Sequence, residues 1–226
     1  MEHRLKSAPA AAGPDRAQAP RRKLRDADAT RDAILRVATE DVAAKGLHGS
    51  RVEEIAARTA TSKNMIYYYF GSKEGLYAAV LERAYADFRS AEAGFDYAPL
   101  PPLEALAALA GNTFDAHVRN PHVVRILMTE NLDHGRHGDR IDHSAQRRLV
   151  LEATGAILAR GVAAGVIRAD GADPLQFHLT ISALSFFFVG NRHTFGKVFD
   201  YDMADPANIA ARRAEVIEIM LSRYRA

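Results

Sequence analysis

Residues 50–73 read SRVEEIAARTATSKNMIYYYFGSK, and the reading of this stretch decides the fold. Val52, Ile55 and Ala56 stand at i, i+3 and i+4, so a short first helix has one apolar face that must pack on something. Ile66 and Phe70 supply an i, i+4 apolar pair for a second helix. Between them, Thr59, Ala60, Thr61 and Ser62 offer hydroxyls that can accept from the free N–H groups opening the second helix. The spacing therefore predicts helix, tight turn, helix.

The other faces of the second helix carry the chemistry. Ser62, Lys63, Asn64, Tyr67 and Tyr68 occupy its opening turns and Lys73 follows its end. Hydroxyls, amides, amines and phenols are the groups that meet base edges and phosphates, and a helix fits the B-DNA major groove. A helix-turn-helix reads DNA with the N-terminal part of its second helix. The stretch resembles the DNA-binding segment of the TetR family of transcriptional regulators. That resemblance rests on Arg51 to Ala56, the Thr61-Ser62-Lys63 opening, the Tyr67 to Phe70 block and Ser72 to Leu76. Ala60 departs from the family pattern, standing where a turn glycine is common, and Thr61 stands where an apolar residue is common. A left-handed Ala60 would cost on the order of 1 kcal/mol, which a packed domain can absorb.

The chain of 226 residues is nearly half hydrophobic, so it can bury a sizeable core. Abundant Ala and Leu, with few alternating β-branched runs, favour an all-α protein. Absence of cysteine excludes disulfides and thiolate metal sites and fits a reducing cytoplasm. The N-terminus has no continuous apolar core of a secretory signal, and no apolar run is long enough to span a bilayer. The net charge of +2 is too small to indicate nucleic acid by itself.

Residues 1–28 mix Ala, Pro, Gly and charge without periodicity and are expected to form a disordered arm. Its cluster Arg21-Arg22-Lys23-Leu24-Arg25 is either a solvated tail or an extension that touches phosphate or the minor groove. A first helix is expected from about Asp28 to Lys45, with Asp28 and Thr30 as capping candidates and Gly46 as the stop. Ile34, Leu35, Ala38 and Val42 line its inner face and should meet Val52, Ile55, Ile66 and Phe70. Residues 29–75 are thus a three-helix DNA-binding head. A longer helix from Ser72 to about Glu92 follows, and Gly94 and the prolines at 99, 101 and 102 mark a loop. Further helices are expected at Pro102 to Asn120, Pro121 to Asp133, Asp142 to Ala164, Pro174 to Asn191 and Asp205 to Tyr224.

The helix from Pro174 is apolar nearly all round and must be covered on every side. The last helix repeats Ile209, Val216, Ile217, Met220, Leu221 and Tyr224 at helical spacing. These two helices are expected to pair with their symmetry mates in a homodimer, as the resemblance also implies. The resemblance further implies that residues 76–226 form a larger helical ligand-binding and dimerisation domain, with the Ser72 helix as the lever between effector and double-stranded DNA operator.

For direct DNA contact the candidates are Arg51, Thr61, Ser62, Lys63, Asn64 and Tyr67, with Tyr68 and Lys73 suited to phosphates. For a small-molecule effector the candidates are Phe114, His117, Met128, Asn131, His178, Ser182 and Phe186, chosen as polar or aromatic groups amid apolar helical faces, with plain core the alternative for each. Arg192 could hold a carboxylate bidentately or serve as a helix cap or a dimer salt bridge, and the C-terminal half resembles TetR-type regulators of aromatic-acid catabolism, so an aromatic or carboxylate effector is expected. The run from Asn131 to Asp139, with His134, His137 and then His143, invites a metal reading, but its two glycines argue for a polar loop, so no metal and no cofactor are expected. The rival class is a helical enzyme using the His134/His137 loop or the Arg192-His193 pair, and it lacks a recognisable nucleophile-base spacing or phosphate loop.

Overall fold

The computed structural model describes the backbone of residues 18–93 and 95–226, with side chains for all of these except 18–25, 89–93 and 145–146. Helices follow one another throughout: α1 (Gln18–Gly49), α2 (Val52–Arg58), α3 (Lys63–Phe70), α4 (Lys73–Ala93), α5 (Pro102–Arg119), α6 (Pro121–Leu132), a 3-10 turn (Gly138–Arg140), α7 (Ser144–Ala163), α8 (Pro174–Gly190), α9 (Arg192–Phe199) and α10 (Pro206–Tyr224). The described residues thus form an all-α fold. Proline at the first turn opens α5, α6, α8 and α10, where its missing N–H costs nothing. Asp173 and Asp205 cap α8 and α10 by accepting from Leu175 N and Ala207 N. No helix among the described residues is long and apolar enough to cross a membrane.

The first helix departs from expectation at its start. It begins at Gln18 rather than near Asp28, so Asp28 and Thr30 lie inside it, and the Thr30 hydroxyl donates back to the Asp26 carbonyl instead of capping. The residues from Arg21 to Thr30 are mostly good helix formers, and Pro20 is tolerated in a first turn. The basic cluster is therefore helical, while the rest of the expected arm, residues 1–17, lies outside the described residues. Gly46 does stop the regular helix, with φ 70°.

Ile34, Leu35, Ala38 and Val42 of α1 meet Val52, Ile55 and Ile66, and Phe70 packs against the same cluster. The head does not close on itself. The same buried cluster continues through Leu76, Tyr77, Val80, Leu81 and Phe88 of α4 to Ala116, Val123 and Ile126. A unit of three short helices has too little interior to be stable alone, and α4 and α6 complete it. Arg125 of α6 also donates to the Ala44 carbonyl at the end of α1 (3.2 Å).

The second core lies among α5, α7, α8 and α10 and includes Leu106, Phe114, Ile157, Phe177, Ile181 and Met220. The faces expected to pair across a dimer axis divide between this core and the surface of the single chain. The α10 stripe does not face outward: Val216 and Met220 are fully buried, Tyr224 sits with its ring 5.4 Å from Phe177, and Ile209, Ile217 and Leu221 pack against the same core. On α8, Leu175, Leu179 and Phe187 stay half exposed on the single chain, one helical turn or two apart. The short α9 was not expected, and it stacks Phe195 between Phe187 (5.8 Å) and Phe199 (4.4 Å).

Candidate nucleic-acid interface

The turn between α2 and α3 takes the strained form. Ala60 has φ 50°, the left-handed region that glycine enters freely and alanine does not. Thr61 N then donates to the Ala56 carbonyl (3.1 Å), and the Ser62 hydroxyl caps α3 by accepting from Met65 N (3.2 Å). Gly71, with φ 77°, ends α3. Two ionic clasps fix α2 on α1: Arg58 reaches Glu40 (2.6 Å), and Lys45 bridges Asp41 (2.8 Å) and Glu54 (2.5 Å). The Lys45 amine is raised above its ordinary value by its hydrogen bond to Asp41 and then by that to Glu54.

Ile66 is fully buried and anchors α3, while Tyr67, Tyr69 and Phe70 lie half-buried on the head core. Arg31 of α1 lies over the Phe70 ring at 5.2 Å. This anchoring turns Ser62, Lys63, Asn64 and Tyr68 to solvent. Arg51 is exposed just before α2, and Thr61 is half-buried in the turn. Lys63 Nζ lies 5.7 Å from the centre of the Tyr67 ring, so the two share one edge of the helix. Lys73 is half-buried at the start of α4 and lines an open cleft with His48, Arg136 and Arg140. Lys63 and Tyr67 thus share an edge of α3, Ser62, Asn64 and Tyr68 are exposed on or just before the same helix, and Lys73 is set apart beside the joint to the larger domain.

That joint occupies the loop read as a candidate metal or catalytic site. His137 is buried, its Nδ1 3.0 Å from Glu130 Oε2, and Glu130 Oε1 accepts from the backbone N–H groups of His137 (2.7 Å) and Gly138 (3.1 Å). The His137 ring meets Tyr77 of α4 edge-on at 4.7 Å. Asp133 pairs with His48 of α1 at 3.4 Å. His134 is exposed, with φ 60°. Among the described residues no group of three or more His, Asp or Glu is arranged to hold a metal. The loop clasps α6 to α1 and α4.

The larger domain holds a cavity of about 170 Å³ among α5, α7, α8 and the loop before α5. Of the effector candidates only His178 lines it. Phe114 is fully buried against Phe188 (5.6 Å), and His117 is buried with its ring 4.4 Å from Phe88 of α4. Met128 and Phe186 pack on the core, the Asn131 side chain donates to the Leu127 carbonyl, and Ser182 is half-buried elsewhere on α8. Arg192 belongs to a different cleft, with Val118, Met203 and Ile209, and its Nε donates to the neighbouring His193 Nε2 (3.3 Å). The residues missed are Phe95, Tyr97, Thr113, Val150, Thr154 and Phe177 in particular. Thr113 and Thr154, polar groups on apolar helical faces, met the criterion used for the others; the pairing of α5 with α7 was not legible. Arg160 of α7 holds the cavity's loop in place by donating to the carbonyls of Tyr97 (3.0 Å), Ala98 (2.7 Å) and Leu100 (3.2 Å).

Comparison with known proteins finds matches over both parts of the chain. Residues 34–80 match the family model described as bacterial regulatory proteins, tetR family, and residues 102–220 match a tetracyclin repressor-like C-terminal domain. The chain is 39% identical over 186 residues to the HTH-type transcriptional repressor NicS of Pseudomonas putida, covering 81% of this chain and 86% of that protein. It is 30% identical over 124 residues to the HTH-type transcriptional repressor SCO4008 of Streptomyces coelicolor, covering 55% and 60% of the two chains. Among solved structures, SCO4942 of Streptomyces coelicolor superposes with a TM-score of 0.64 at 26% identity, covering 86% of this chain and 98% of that one. A tetR-family regulatory protein from Rhodococcus RHA1 shares the fold, with a TM-score of 0.66 at 21% identity, covering 86% and 96%. With a helix-turn-helix head, a larger helical domain and matches over both, this chain belongs to the TetR family and is a DNA-binding transcriptional regulator, not an enzyme.

Proposed function

We propose that the protein is a cytoplasmic, dimeric repressor that binds a palindromic operator and is released from it by a small molecule. The observation that carries this reading is the outward edge of α3, where Lys63 and Asn64 are exposed one turn before Tyr67 and Tyr68, with Ile66 anchoring the opposite face. Lys63, Asn64 and Tyr67 read bases, Tyr68 and Lys73 engage phosphates, and Arg51, Thr61 and Ser62 contact the same DNA. The names of NicS and SCO4008 as repressors support repression as the sign of control.

Dimerisation is supported by the Leu175, Leu179 and Phe187 stripe on α8 and by Ile219 on α10, all partly exposed on the single chain. Two heads reading successive major grooves must lie roughly 34 to 36 Å apart. An effector bound among α5, α7 and α8 acts by preferring a different spacing, and needs no contact with DNA. The joint of Tyr77, His137 and Glu130 ties α4 to α6, and His117 against Phe88 ties α5 to α4, so a shift in the larger domain reaches the head through α4.

A gel shift with the DNA upstream of the gene tests the reading. A retarded band of dimer stoichiometry, weakened by Lys63→Ala and by Asn64→Ala, is the expected result. No band at low salt overturns it.

A further inference from the structure

We infer that the effector is an uncharged molecule with a single aromatic ring and one hydrogen-bond donor, of the phenol class, bound in the cavity among α5, α7 and α8; this rests on the proposed effector-released repressor. Size comes first. At about 170 Å³ the cavity is close to an engineered protein cavity of about 150 Å³ that admits benzene, so one ring and a small substituent fill it. Two fused rings overfill it and must reach out past Phe95 and Leu149, the half-exposed side chains of the lining.

The walls select for lack of charge. Phe95, Phe177, Leu109 and Ile181 give apolar surface for the ring. Among the described lining residues none is Lys, Arg, Asp or Glu. His178 is the one basic side chain among them, so a carboxylate placed there would lose its water with a single imidazole and no permanent cation to meet it, a large cost. Arg192, the guanidinium the sequence offered for a carboxylate, lines the separate cleft with Met203 and Ile209.

Tyr97, Thr113, Thr154 and His178 are the polar side chains of the lining, and Thr154 is the one whose geometry sets the donor. Thr154 of α7 is buried and lines the cavity, and its hydroxyl donates its proton to the Val150 carbonyl at 2.8 Å. Its oxygen is therefore committed as donor in one direction and can only accept from a ligand. A phenolic O–H meets that requirement; a bare ring does not.

The test is calorimetric titration of the full chain with phenol, benzene, benzoate and 2-naphthol, alongside thermal melts, on the natural protein and two variants. Ala153→Phe projects a ring into the cavity from an exposed position on α7, so the core is left intact. Thr154→Val removes the accepting oxygen at nearly constant shape. Phenol is expected to bind at least roughly tenfold tighter than benzoate or 2-naphthol, to be lost in Ala153→Phe and to weaken roughly fivefold or more in Thr154→Val with benzene unchanged. Benzoate or 2-naphthol matching phenol, phenol binding unaltered by Ala153→Phe, or binding of none of the probes overturns the inference. A protein that retards its own upstream DNA yet binds none of them has lost this inference and kept the regulator. Phenol binding without any retarded band has the opposite meaning.

Discussion

Lys63 of α3 and Glu53 of α2 form an ion pair across the helix-turn-helix, with Nζ 2.5 Å from Oε1. The hydrogen bond holds the Lys63 amine above its ordinary value and the Glu53 carboxyl below its own. Both side chains are about half exposed, so the pair contributes little to folding. Its consequence is for DNA: the amine must leave Glu53 before it can reach a base or phosphate. Glu53→Gln is therefore expected to tighten binding to all sequences, and to random DNA most, so that discrimination narrows. Fluorescence anisotropy on operator and random duplexes over a salt series measures this, with the logarithmic salt slope steeper by about one.

The left-handed Ala60 carries strain that glycine removes. Ala60→Gly should stabilise the protein by about 0.5 to 1 kcal/mol, the relief of strain exceeding the added chain entropy of the unfolded state. Urea denaturation reads the change as a higher midpoint at unaltered slope.

Glu130 accepts three hydrogen bonds within the 130–138 segment, and removing it leaves the N–H groups of His137 and Gly138 and the His137 ring without a partner. Glu130→Ala should cost about 3 kcal/mol, as breaking a buried pair does, and Glu130→Gln less because an amide oxygen can still accept. Denaturation gives the stability. Operator binding at saturating folded protein gives the effect on the head, where a looser joint should lower affinity.

Arg160 is the only side chain described as donating to three carbonyls of the 97–100 loop. Lysine cannot reproduce that fork, so Arg160→Lys should cost about 1 to 2 kcal/mol. Hydrogen exchange should quicken across residues 95–100, and effector affinity should fall because Phe95 and Tyr97 lose their support.

Burial, and then the charge of Glu130, raise the Tyr77 hydroxyl far above the ordinary phenol value. A group whose pKa is raised on folding contributes stability below its unfolded pKa, and that contribution is lost as pH rises through the folded value. Stability should therefore fall above about pH 10, the ordinary tyrosine value, and the fall should be shallower in Tyr77→Phe. Urea midpoints from pH 8 to 11 compare the two.

Much of this protein was written locally. Val52, Ile55 and Ile66 at helical spacing, the Ser62 cap, the Gly46 stop and the prolines opening four helices each act within one or two turns of their own position, and each appears where the sequence put it. The exposed edge of α3 follows from the same periodicity, since burying Ile66 turns Lys63 and Asn64 outward.

Tertiary structure alone decided what each buried face meets. The α10 stripe of Val216, Met220 and Tyr224 has the period of a dimer seam but packs on α5 and α8 of its own chain, leaving Leu175, Leu179 and Phe187 as the open face. His117 and Phe114 had the look of pocket residues and became core, while Thr113, on α5, and Thr154, on α7, came together around the cavity. The physical reason is that periodicity fixes which side of a helix avoids water, whereas its partner is set by how ten such sides fit at one packing density, a property of the assembled chain and of no segment within it.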